Sequence, residues 1–66
     1  MENKARWYEI TITAKDDDGT VITVTDKAFG YPAAAIAARY EEQQCRKAGH
    51  TEIKTTIAPC HGGGTA

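Results

Sequence analysis

The longest run of alternating polar and apolar positions in the chain is Arg6 to Ala14. On an extended backbone Tyr8, Ile10, Ile12 and Ala14 fall on one side, and Trp7, Glu9, Thr11 and Thr13 on the other. β-Branched and aromatic residues at period two define a half-buried strand, and the length of this one suits the centre of a sheet. A second alternating run, Thr20 to Thr25, turns Ile22 and Val24 inward and leaves Val21, Thr23 and Thr25 outward. Between the two runs, Lys15-Asp16-Asp17-Asp18-Gly19-Thr20 contains an Asp-Gly pair, which is a hairpin signal because glycine accepts positive φ and aspartate tolerates it. A third run, Thr51 to Ala58, predicts a strand with Ile53, Thr55 and Ile57 inward, and Pro59 is expected to end it.

The pattern changes period after Tyr31. Asp26 to Tyr31 is expected to form a connection, with Phe29 tucked under the start of a helix. Pro32 suits the first helical position, where its missing N–H costs nothing, and the helix is predicted from about Pro32 to Lys47 or Ala48. At 100° per residue Ala33, Ile36, Ala37, Tyr40, Gln44 and Ala48 share a stripe, taken as the buried one, with Arg39, Glu42 and Arg46 opposite. Arg46 and Lys47 favour the negative end of the helix dipole, and Gly49 supplies a left-handed stop. The element order is therefore β-β-α-β. A right-handed crossover through the helix makes the outer strands parallel to each other, with the first strand between them and antiparallel to both. The expected fold is α+β: a three-stranded antiparallel sheet of order 2-1-3 with one helix packed on one face.

At 66 residues the chain is expected to be a single domain, ordered over about 5–59, with a polar lead Met1 to Lys4 and a flexible tail, 60–66. So small a core leaves little surplus over conformational entropy, so a partner or a second copy would add stability. The net charge of -1 provides no basic field, which disfavours nucleic acid. Two cysteines do not make a disulfide scaffold. The N-terminal residues lack the apolar run of a signal peptide, and no stretch reaches membrane-spanning length, so the expected location is cytoplasmic, with thiols reduced.

Candidate chemistry is sparse. Cys45, His50, Cys60 and His61 are ligand types for zinc, but their spacing is not that of a finger or ribbon. The predicted third strand separates the two cysteines by about 20 Å, which argues against both one metal site and a disulfide. Neither a metal nor a cofactor is expected. Asp16, Asp17 and Asp18 are consecutive, whereas a calcium loop places its ligands on alternate residues, so they read as a solvated hairpin tip that could meet a basic partner. His61-Gly62-Gly63-Gly64 has the letters of an oxyanion loop without a nucleophile elbow or a triad order. Glu41 and Glu42 sit near Arg39 and Arg46 as a helix-surface group. No catalytic residue is assigned, and the chain is not expected to be an enzyme.

The feature that invites a function is the sheet face opposite the helix, expected to display Trp7, Glu9, Thr11, Thr13, Val21, Thr23, Thr25, Glu52, Lys54 and Thr56. Threonine is a good strand former and accounts for a solvated face by itself. Tryptophan is enriched at binding hot spots. The candidate partner-binding residues are Trp7, Glu9, Thr11, Thr23 and Lys54 on this face, and Asp16, Asp17 and Asp18 at the tip. The hairpin Arg6 to Thr25, the helical Ala33-Ala34-Ala35-Ile36-Ala37-Ala38-Arg39-Tyr40-Glu41-Glu42 and the Ala48-Gly49-His50-Thr51-Glu52-Ile53 turn together resemble small ββαβ proteins of phages and mobile elements of the anti-CRISPR inhibitor type. The likeness spans about fifty residues and is one of architecture, with no diagnostic motif. It implies a stoichiometric inhibitor that binds a host CRISPR effector complex in the bacterial cytoplasm. Two alternatives are a sheet-face DNA-binding domain like the arm-type domain of integrases, which would need more Lys and Arg on the open face, and a homodimeric structural module.

Overall fold

A computed structural model describes residues 6–60; the lead before Arg6 and the tail from His61 onward lie outside the described residues. The elements are β1 (Trp7–Lys15), β2 (Val21–Phe29), α1 (Tyr31–Lys47) and β3 (Thr51–Cys60). They form one three-stranded sheet of order β2-β1-β3, in which β1 is antiparallel to both neighbours. The α+β, β-β-α-β arrangement read from the alternation is the arrangement observed.

β1 carries the buried positions. Ile10, Ile12 and Ala14 are buried, and Ile10 and Ile12 are the largest side chains fully enclosed among the described residues. Tyr8, Ile22, Val24, Ala28, Ile53 and Ile57 pack around them half-buried. The inward sets foreseen for β2 and β3, Ile22 with Val24 and Ile53 with Thr55 and Ile57, hold.

The helix sits in a different rotation from the one its large apolar residues imply. Ala34, Ala38 and Cys45 are its buried residues, while Ile36 is 71% exposed and Tyr40 58% exposed. The stripe of Ala33, Ile36, Tyr40, Gln44 and Ala48 is thus displaced outward, and of its members only Ala37 packs against the core. Glu42 turns toward the sheet, where its carboxylate accepts a hydrogen bond from the Thr55 hydroxyl of β3. The physical reason is distance. Methyl-sized side chains let the backbone of α1 approach Ile10 and Ile12 closely, whereas Ile36 and Tyr40 facing inward would hold it off a sheet whose own large side chains already fill the space.

The start of α1 differs by one residue from the sequence reading, and its end, at Lys47 with a left-handed Gly49 beyond, agrees with it. Helical geometry begins at Tyr31, with Gly30 as N-cap and Pro32 in the first turn. At the other end His50 N–H donates to Cys45 C=O and Gly49 N–H to Arg46 C=O, both at 3.0 Å. With Gly49 at φ 88°, these two bonds make a Schellman motif, which requires a left-handed residue at that position.

Two strands are longer than expected. β2 continues through Asp26-Lys27-Ala28-Phe29, so this segment is strand and not connection. Phe29 is not tucked under the helix but lies 53% exposed on the opposite face. β3 runs through Pro59 to Cys60, so Pro59 does not end it and Cys60 does not belong to a tail. β3 is an edge strand, and a proline whose missing N–H faces the open edge removes no ladder bond. At its start the register shifts between Thr13 and Lys15, so that Glu52 and Ile53 oppose Ala14 alone. Glu52 takes up this β-bulge with a left-handed φ of 53°.

The rotation of α1 is directly testable. Ala38→Leu forces a branched side chain between helix and sheet and should cost about 1–3 kcal/mol, while Ile36→Ala on the outer face should change stability by less than about 0.5 kcal/mol. Urea unfolding of the two variants beside the parent checks this; equal losses would mean a different helix phase.

Candidate interaction surface

Reading across the strands, the face away from α1 consists of rows in register. Phe29, Trp7 and Cys60 form the first row, Lys27, Glu9 and Ala58 the second, Thr25, Thr11 and Thr56 the third, and Thr23, Thr13 and Lys54 the fourth. Val21 and Lys15 follow, beside the bulge at Glu52. The structure therefore brings Trp7, Glu9, Thr11, Thr23 and Lys54 onto one surface, as their alternation implied. It adds Phe29, Lys27, Lys15 and Cys60, which the shorter strands of the sequence reading had left elsewhere, and Ala58 at the end of the predicted third strand.

The first row is aromatic. Trp7 and Phe29 are register partners, and their rings meet edge to face with centroids 5.4 Å apart and an interplanar angle of 69°. An aromatic cross-strand pair of this geometry is worth about 0.5–1.5 kcal/mol beyond its buried area. Trp7 is consequently 37% exposed, supported from one side and open on the other. On the covered face at the same end of the sheet, Tyr8 and Tyr31 make a second edge-to-face pair, 5.5 Å between centroids, which ties the start of α1 to β1.

The middle of the face is a block of five threonines, Thr25, Thr11, Thr56, Thr23 and Thr13, with Lys54 completing the second of its rows. Charges flank it. Glu9 is the register partner of Lys27, and Lys15 Nζ lies 3.5 Å from Glu52 Oε1 with both side chains well exposed. An exposed ion pair such as Lys15–Glu52 contributes at most about 1 kcal/mol, but two of the three lysines on the face have an acid as ion-pair or register partner. A shallow depression of about 230 Å³ lined by Thr13, Lys15, Val21, Glu52 and Lys54 marks the bulged end.

The acidic tip is a separate place. Asp17, Asp18 and Gly19 form the hairpin loop, closed by Asp16 N–H donating to Thr20 C=O and Gly19 N–H to Asp16 C=O, each at 3.0 Å. Gly19 sits at φ 87°, the left-handed position that three-residue hairpin loops require. Asp16 Oδ1 accepts from the N–H groups of Asp18 and Thr20, and Asp18 Oδ1 accepts from Thr20 N–H and, at 2.7 Å, from its hydroxyl. Two of the three carboxylates thus build the turn, and Asp17 makes none of these bonds. The hydrogen bonds from the Thr20 hydroxyl, foremost, and from the Thr20 N–H hold the Asp18 carboxyl below its ordinary pKa. The tip opens on a second depression, of about 410 Å³, shared with Ala48 and His50.

Cys45 is buried and Cys60 half-buried, and both are free thiols. Among the described residues no three His, Cys, Asp or Glu side chains gather as a metal site would require, and no helix is long and apolar enough to cross a membrane. No protein-family model matches the chain, and no curated protein or solved structure matches it.

Folding lowers the Asp18 pKa, so ionised Asp18 stabilises the hairpin above the ordinary carboxylate range, and this stabilisation is lost as the pH falls below about 4. Asp18→Asn should therefore melt below the parent at pH 6, with the gap closing toward zero near pH 2. Melting curves across that range check the sign; a gap that widens on acidification would contradict it.

Proposed function

We propose that the chain is a non-enzymatic protein-interaction module that docks a protein partner on the open sheet face. The observation that carries this reading is the pairing of a large, half-open aromatic group with a regular threonine block on a face that no element of the described fold covers. Trp7 is pre-positioned by Phe29, so a partner that buries it orders little that is not already ordered, which is the energetic profile of a hot-spot anchor. The threonines next to it offer hydroxyls on stiff, β-branched side chains with little rotamer freedom to lose. Lys15 is ion-paired with Glu52 and Lys27 stands opposite Glu9 in register, so Lys54 is the cation with no acid in its row, which places a nucleic-acid reading second: few phosphates could be neutralised.

The architectural likeness extends this reading to a stoichiometric inhibitor of the anti-CRISPR type acting on a host effector complex. The test is protection of a target plasmid from interference in cells carrying individual CRISPR systems. The parent should protect against at least one system, and Thr11→Arg and Thr23→Arg, which place bulky cations in the threonine block, should abolish protection while leaving the circular dichroism spectrum unchanged. Trp7→Ala should do the same with a small loss of stability from the broken aromatic pair. Failure of the parent to protect against any system would remove the inhibitor reading. Full protection by the folded arginine variants would remove the open face as its surface.

A further inference from the structure

Two backbone bonds define which groups of β2 point away from the sheet. Asp16 N–H donates to Thr20 C=O at 3.0 Å and Gly30 N–H to Arg6 C=O at 2.8 Å, and both pairs continue the β1–β2 register. Bonded and non-bonded pairs alternate along an antiparallel ladder, so the even-numbered residues of β2 turn their N–H and C=O groups toward β1. Val21, Thr23, Thr25, Lys27 and Phe29 turn theirs toward the open edge. By the same alternation the open edge of β3 presents Ile53, Thr55, Ile57 and Pro59, and is interrupted by the absent N–H of Pro59 and by the Glu52 bulge. The two edges are therefore unequal. β2 has nine residues without a proline or a register shift.

We propose that this edge is a self-pairing site: β2 joins β2 of a second copy, antiparallel and centred on Thr25, to make one six-stranded sheet of order 3-1-2-2-1-3. In this register Thr25 opposes Thr25, Thr23 opposes Lys27 and Val21 opposes Phe29. Every outward group of both strands then finds a partner, in five bonded pairs of two bonds each. The exposed apolar residues fit the same centre. Val21, 58% exposed, and Phe29, 53% exposed, stand at opposite ends of β2 on the open face, and only an antiparallel pairing about Thr25 sets each against the other. The helix agrees. Glu42 bonds Thr55, which places that flank of α1 over β3; at 100° per residue the opposite flank, with Ala33, Ala37 and the exposed Tyr40, lies on the β2 side, where the second helix would run.

One group resists. Lys27 N–H, an outward donor, is already held by the carboxylate of Asp26 at 2.9 Å, and an exposed charge on an edge strand is a common guard against pairing. Asp26 must release that N–H to Thr23 of the second copy. The edge is about 30 Å long at the rise of a strand and is one strand with one helix flank behind it, so the contact lies at the small end of specific interfaces. A weak, reversible dimer follows, with Kd in the micromolar range.

Sedimentation velocity from about 10 µM to about 1 mM, the span in which weak interfaces assemble, should show a shift toward twice the 7.1 kDa chain mass. Asp26→Ala removes the guard and should tighten association about threefold or more. Thr25→Lys puts two ammonium groups opposite each other at the symmetry axis and should weaken it about tenfold, while its single-chain fold stays intact because Thr25 is exposed. The register is read by cross-linking in a Cys60→Ser background with oxidised glutathione. Thr25→Cys should form a covalent dimer, whereas Thr23→Cys, whose two copies stand about 13 Å apart, should not. A chain that stays monomeric at the highest concentration in both the parent and Asp26→Ala, or equal cross-linking at positions 23 and 25, overturns the proposal.

Discussion

The fold depends on how closely one helix can approach one strand. Ile10 and Ile12 are the only large side chains that the described residues enclose completely, and what encloses them is a helix face made of Ala34, Ala38 and Cys45. Small residues there bring backbone to side chain at van der Waals distance, so two isoleucines make many contacts within a chain too short to build a deep core. From that approach follow the central place of β1, the position of β2 and β3 on either side of it, and the need for flanking aromatic and aliphatic residues to close the margins.

The same economy leaves one layer missing. A single helix covers one side of a three-stranded sheet, and no second helix or strand is present among the described residues to cover the other. The open side is therefore built to stand in water: threonines where the strands need β-branched residues, paired charges beside them, and an aromatic pair at one end that is partly self-covering. The hydrogen-bonding edges are treated unequally. Pro59 and the Glu52 bulge interrupt β3, while β2 is guarded by one carboxylate. The two proposed modes of contact use different groups: the face-on mode the side chains of Trp7 and the threonine block, the edge-on mode the outward N–H and C=O groups of β2.

Much of this was legible in the alternation itself. Period-two runs identified all three strands and their inward residues, and the length of the Arg6–Ala14 run correctly placed it in the centre. The helix phase was not legible because hydrophobicity and burial part company on a close-packed helix. Ile36 and Tyr40 carry the largest apolar surface, yet the positions nearest the sheet hold only the small side chains of Ala34, Ala38 and Cys45. The end of β2 was hidden by Asp26 and Lys27, which break the apolar pattern on an edge strand where charge is tolerated. Register would have recovered it: a hairpin closed at Asp16 and Thr20 with a first strand beginning at Trp7 has to pair that residue with Phe29. Pro59 looked like a terminator because the sequence does not say which edge its missing N–H faces. Of the candidate site, the five face residues came together, while two of the three tip aspartates turned out to be committed to the turn.

The central claim is that one sheet face is sealed by alanines and the other is open within the chain. Methyl relaxation by a soluble gadolinium chelate, measured by NMR at low protein concentration, tests it residue by residue. The methyl groups of Thr23, Thr25 and Thr56 should relax strongly, and those of Ile10, Ile12, Ala34 and Ala38 should be protected. Protection of the three threonines in the dilute chain, or strong relaxation at Ala34 and Ala38, would contradict it.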